Sequence, residues 1–173
     1  MDFAFSAEQE DFRQAVRSTL AAEAPSAYVR EMIEDPVGVT PELWATMADL
    51  GWLGVLVPES AGGLGLGLVD LVVLQEELGS LPFPGPFVSS AVAATLAAVR
   101  LGLDDMLGDL AAGSRRGTVA IEERGVGDPL AGVRATAKPD GDQAVLSGLK
   151  PVVLDGASAD WALVVADDGD GLG

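Results

Sequence analysis

The sequence predicts an α+β chain: a helical part running to about residue 113, then the beginning of an antiparallel β part. Three observations carry this. Apolar residues recur at helical spacing behind recognisable N-caps through the first two thirds of the chain. Beyond residue 117 that period gives way to short strand-like runs, two of them separated by the hairpin signal Asp140-Gly141-Asp142. The composition supports a core: 49% of the 173 residues are hydrophobic.

Taken in order, Ser6-Ala7-Glu8-Gln9 reads as a capping box in which Ser6 caps a helix and Gln9 reaches back. Phe12, Ala15, Val16 and Leu20 then form its apolar stripe, and Pro25 marks its end. Thr40-Pro41-Glu42 starts a second helix, with a threonine cap, a proline at the first helical position and an acid at the positive dipole end. Leu43, Trp44, Met47 and Leu50 form its stripe, and Gly51 is its C-cap. Residues 57–67 are a loop, 68–78 a helix ended by Gly79, and 81–87 a proline-punctuated connection. Residues 88–101 are alanine-rich and apolar on most sides, as a buried helix is, and 104–112 form a last short helix. Strands are expected at 118–121, 133–138, 144–146 and 161–165, and the chain runs out in the acidic turn 167–173. No internal repeat is present.

Composition excludes several chemistries. Ten basic against 27 acidic residues give a formal charge of −17, which repels phosphate backbones and anionic membranes, so no nucleic-acid partner is expected. With no cysteine and no histidine, zinc sites of those ligands, thiol nucleophiles, Ser-His-Asp triads and disulfides are ruled out. The opening MDFAFSAEQEDF places acids first and has no apolar h-region, so no signal peptide is expected, and a cytoplasmic location fits. No apolar run reaches the length of a membrane span.

Three motifs carry candidate chemistry. GGLGLG at 62–67 suggests a phosphate cradle but lacks the preceding strand and the fingerprint spacing, so a turn is favoured. Asp168-Gly169-Asp170-Gly171 resembles the opening of a calcium loop without its later ligands, and an acidic solvated turn is favoured. Glu122-Glu123 could form an acid/base couple, but on pattern alone a solvated strand end is the stronger reading.

Two longer stretches resemble one family. VPESAGGLGLGLVDLVVLQEELGS, residues 57–80, is similar to the P-E-x-x-G-G-x-G segment and following E-E-x-G helix of acyl-CoA dehydrogenases. Residues 119–166 resemble that family's flavin-binding β segment, A-L-T-E-P-x-A-G-S-D followed by an N-G-x-K-x-W-I-T-N-G turn. The resemblance implies an acyl-CoA dehydrogenase-like fold, with an N-terminal all-α domain over 1–113 and the first part of a middle β domain over 114–173. It also implies a C-terminal helical domain outside this chain. The family's glutamate base usually stands in that third domain, so no catalytic residue is assigned here.

The implied cofactor is FAD, and the implied cofactor-binding positions are Ile121, Glu122, Glu123, Asp128, Val152 and Leu154. Four of them depart from the family pattern. The flavin-facing tryptophan and threonine of W-I-T fall on Val152 and Leu154 in SGLKPVVLDG, residues 147–156. The threonine of L-T-E-P falls on Glu122, and the serine of A-G-S-D on Asp128. Aliphatic side chains offer neither an aromatic face nor a donor, and two carboxylates oppose an electron-rich ring edge and a pyrophosphate.

This pattern resembles the flavin-eroded subunit of the family's actinobacterial heterotetrameric members, which act on steroid side-chain CoA thioesters. The resemblance implies as partners a related subunit, in a heterotetramer, or a second copy of the chain in a homotetramer, together with an acyl-CoA substrate in lipid or steroid catabolism. Two alternatives stay open: a divergent but flavin-binding dehydrogenase using backbone groups of residues 121–123, and a non-redox module that binds acyl-CoA or a protein.

Overall fold

The computed structural model describes residues 4–123, 130 and 132–171. Helix α1 (Ala7–Glu23) starts as its capping box requires: the Gln9 amide donates to Ser6 Oγ at 3.2 Å, and the Ser6 amide donates to Gln9 Oε1 at 3.0 Å. A short helix absent from the sequence reading, α2 (Ser26–Met32), follows at once, with Pro25 as its N-cap and no side-chain capping bond. Proline therefore stops α1 and starts α2, as a residue with fixed φ and no N–H does well at a helix start. Helix α3 (Pro41–Asp49) begins where Thr40 Oγ1 accepts from the Leu43 amide at 3.3 Å. Leu43, Trp44 and Met47 of its expected stripe are buried, but Leu50 is 46% exposed and belongs to the turn at Gly51, whose φ is +76°.

Helix α4 (Leu68–Ser80) continues one residue past Gly79. It packs on α1 through a ladder of polar pairs: Gln9 Nε2 donates to Asp70 at 2.9 Å, Arg13 to Glu76 at 2.7 Å, and Arg17 to both oxygens of Glu77 at 2.9 and 2.7 Å. Glu77 is buried, and its guanidinium partners hold its carboxyl below the usual glutamate range. Beneath the ladder, Val16 and Leu20 of α1, Leu43, Trp44 and Met47 of α3, and Leu71, Leu74 and Leu78 of α4 join Trp52, Leu53 and Phe87 in the main core.

The segment expected as one helix over 88–101 is two. Phe87–Ala94 is π-helical, and α5 (Thr95–Leu101) is α-helical, the change falling where Thr95 Oγ1 donates to the Ser90 carbonyl at 3.2 Å. Helix α6 (Asp104–Ala111) adds Leu107, Leu110 and Ala111 to a second cluster with Val57 and Ala98. Trp161 packs onto that cluster and ties the helical part to the strands.

The strands are β1 (Gly117–Ala120), β2 (Thr136–Asp140), β3 (Gln143–Ser147) and β4 (Trp161–Val164). The hairpin β2–β3 is antiparallel, as expected from Asp140-Gly141-Asp142, with Asp140 opposite Gln143. The pair β1–β4 differs from the antiparallel expectation: it is parallel, with Gly117 opposite Trp161 and Ala120 opposite Val164. The long return through the hairpin and residues 148–160 lets β4 re-enter in the direction of β1. Residues 133–135, expected as strand, carry none; β2 starts at Thr136. No helix among the described residues is long and apolar enough to cross a membrane.

Candidate functional site

The end of β1 and the segment after β3 lie side by side, so the two stretches singled out in sequence do meet. Three hydrogen bonds hold them. Lys150 Nζ donates to the Ile121 carbonyl at 3.0 Å and to Glu123 Oε1 at 2.8 Å, and Thr118 Oγ1 donates to the Leu154 carbonyl at 2.6 Å. Residues 150–156 thus form a strap along β1. A cavity of about 420 Å³, lined by Thr118, Ala120, Val153 and Trp161 among others, opens between strap and sheet.

Glu123 is the most constrained group here. Its carboxylate accepts from Lys150 and, at 2.8 Å each, from the backbone amides of Arg134 and Ala135. These bonds lower its pKa from the ordinary 4.5 to about 2, led by the lysine bond, and the two side chains are only 9% and 8% exposed. The solvated strand end expected for Glu122-Glu123 therefore holds for Glu122, which is exposed, and fails for Glu123. Three donors and a lowered pKa make Glu123 a fixed, ionised anchor and a poor proton acceptor, which argues against an acid/base couple with Glu122.

Ile121 is at the margin of exposure, and Val152 and Leu154 are 62% and 58% exposed on the outer face of the strap. Asp128 lies outside the described residues. Lys150, Ser89 and Asp155 had no assigned role in the sequence reading, although each fixes the strap. Ser89, buried on the π-helical segment, donates to Asp155 Oδ2 at 2.6 Å. A lysine placed between a turn and an aliphatic run in so acidic a chain was the one available signal.

Val152 and Leu154 supply no donor or aromatic face, and Glu122 adds an exposed carboxylate. Lys150, drawn into this turn, is committed to Glu123 and the Ile121 carbonyl. No cluster of metal-ligating residues occurs among the described residues.

The glycine loop is a packed turn. Each amide from Ala61 to Gly67 already has an acceptor: Pro58 O for residues 61 and 63, Glu59 O for 62, Gly54 O for 64, Val57 O for 65, Val55 O for 66 and Asp70 Oδ2 for 67. A phosphate cradle needs those N–H groups free.

Residues 6–106 match the family described as acyl-CoA dehydrogenase, N-terminal domain. Over 167 residues the chain is 31% identical to the long-chain specific acyl-CoA dehydrogenase, mitochondrial, of Rattus norvegicus, covering 94% of this chain and 38% of that protein. Among solved structures, a chain of a variant of the Tcur3481-Tcur3483 steroid ACAD superposes with a TM-score of 0.85 and 38% identity, over 96% of this chain and 46% of that one. A chain of the ChsE4-ChsE5 complex from Mycobacterium tuberculosis gives 0.84 and 28%, over 99% and 47%. The chain spans less than half the length of these relatives.

Proposed function

The chain belongs to the acyl-CoA dehydrogenase family, and on that premise we propose that it is the partner subunit of an acyl-CoA dehydrogenase, with a degenerate flavin site of its own. The complex oxidises an acyl-CoA to its 2,3-enoyl-CoA, and the related subunit carries the FAD. The observation that carries this reading is the outer face of the strap: Val152 and Leu154 stand exposed where a flavin contact would require an aromatic ring and a donor. The proposed role of this chain is to complete the assembly and help shape the acyl pocket.

The reading draws support from relatives whose names describe paired proteins, the Tcur3481-Tcur3483 steroid ACAD and the ChsE4-ChsE5 complex. By that likeness a lipid or steroid acyl-CoA is the proposed substrate class, and the cytoplasm the proposed location. The proposed domain division falls between α6 and β1, at about residue 113.

Flavin stoichiometry in the complex tests the proposal. Co-expressed with a related subunit and purified, the assembly should hold one flavin per pair of chains. One flavin per chain would instead support the divergent flavin-binding dehydrogenase. Failure to form any complex, with acyl-CoA or another protein still bound, would support the non-redox module.

A further inference from the structure

The strap is anchored to the strands by Lys150 and Thr118, but a third anchor comes from the helical part. Ser89 sits on the π-helical segment Phe87–Ala94, is 2% exposed, and donates to Asp155 Oδ2 at 2.6 Å across 66 residues of sequence. Asp155 has φ +52°, a left-handed conformation that costs most non-glycine residues energy and that aspartate tolerates better than most. At this corner the Gly156 amide donates to the Val153 carbonyl at 3.2 Å, and the Ser158 amide to the Asp155 carbonyl at 3.0 Å. The hydrogen bond from Ser89 therefore holds a strained corner in place.

The same hydroxyl has a second acceptor within reach, the Pro86 carbonyl at 3.1 Å on its own segment. A serine has one proton to donate, and the shorter contact to a carboxylate is the stronger of the two. If Asp155 withdraws to water, Ser89 can turn to Pro86 and leaves no buried donor unpaired, which removes the main cost of breaking a buried hydrogen bond. Asp155 is only partly buried, so its carboxylate regains solvent on release.

We infer that Ser89 and Asp155 form a releasable latch, in which the π-helical segment holds the 155–158 corner closed and so sets where Val152 and Leu154 stand. Both are positioning residues. The latch rests on the proposed function only for what the strap faces; its existence does not depend on flavin or partner.

The test is amide hydrogen exchange on the protein alone, without flavin or a related subunit. Ser89→Ala should speed exchange at Gly156 and Ser158 about tenfold, with α1 and α4 unchanged. Asp155→Gly relieves the backbone strain but removes the acceptor, so the latch predicts the same acceleration. If the residue served the backbone alone, this variant would be protected as well as the parent. Asp155→Asn keeps an acceptor and tolerates the left-handed corner, and should restore protection. Combining Ser89→Ala with Asp155→Gly should add nothing further. Unchanged exchange in Ser89→Ala, or full protection in Asp155→Gly, would overturn the latch whether or not the proposed function holds.

Discussion

Lys150 Nζ lies 2.8 Å from Glu123 Oε1 and closes the space between the end of β1 and the strap. The pair joins residues 27 apart in sequence, and both side chains are nearly shielded from water. It commits Lys150 to the end of β1 and, with the Arg134 and Ala135 amides, holds the Glu123 carboxylate ionised and in place.

That pair gives a pH signature. The folded-state pKa of Glu123, about 2, lies below its ordinary value of 4.5, so its contribution to stability is fully present above 4.5 and is lost as the pH falls toward 2. Urea unfolding of Glu123→Gln at neutral pH should show a lower midpoint than the parent. The difference should narrow steadily between pH 4.5 and 2. A difference independent of pH across that window would mean that the carboxylate is not the stabilising group.

The buried carboxylate of α4 should matter in a different way. Glu77 takes both oxygens of its carboxylate to Arg17, with Arg13 Nη1 at 3.5 Å. Glu77→Ala should destabilise by about 2 kcal/mol, below the range for fully buried pairs because Arg17 is itself half exposed. Arg17→Lys should lose part of that, since an ammonium cannot reproduce the forked geometry. Thermal unfolding of the two variants checks the order.

In the glycine loop, packing predicts an asymmetry between neighbours. A Cβ on Gly63 would overlap the Val57 carbonyl oxygen, whereas one on Gly62 would meet open space and face only the strain of φ +86°. Gly63→Ala should therefore cost on the order of 2–3 kcal/mol and Gly62→Ala about 1 kcal/mol. Equal effects in chemical denaturation would argue against the packed turn.

If the missing ring and donor are what keep flavin away, putting them back should draw it in. Val152→Trp combined with Leu154→Thr and Glu122→Thr should raise FAD affinity at least tenfold over the parent, measured by equilibrium dialysis. These positions are exposed, so the variant should fold. No gain in affinity would show that the obstacle lies elsewhere.

Local signals read well from sequence, and long-range ones did not. The Ser6/Gln9 box and the Thr40 cap are contacts over three residues with fixed chemistry, and both form as written. Helix α2 was missed because it has no side-chain cap and only Met32 buried. Gly79 reads as a stop, but the helix holds one residue more with Ser80 Oγ donating to the Glu77 carbonyl at 2.8 Å. The π-helical run could not be told from an α-helix, because a segment apolar on most sides shows no clear period. The parallel pairing of β1 and β4 depends on the path of the intervening residues rather than on either strand. In the site, the approach of residues 150–154 to the end of β1 joins two stretches that only the family resemblance had linked. The Lys150–Glu123 and Ser89–Asp155 bonds link positions 27 and 66 apart and leave no pattern in the sequence.

The central claim is that this chain does not hold its own flavin, and the visible spectrum of the protein tests it most directly. The protein should be expressed at the full length of its gene, without any related subunit, and purified with FAD supplied. A colourless protein that becomes yellow only when a related subunit is present is the predicted result. Bound flavin at about one per chain in the protein alone would contradict it and make the chain a flavin-binding dehydrogenase in its own right.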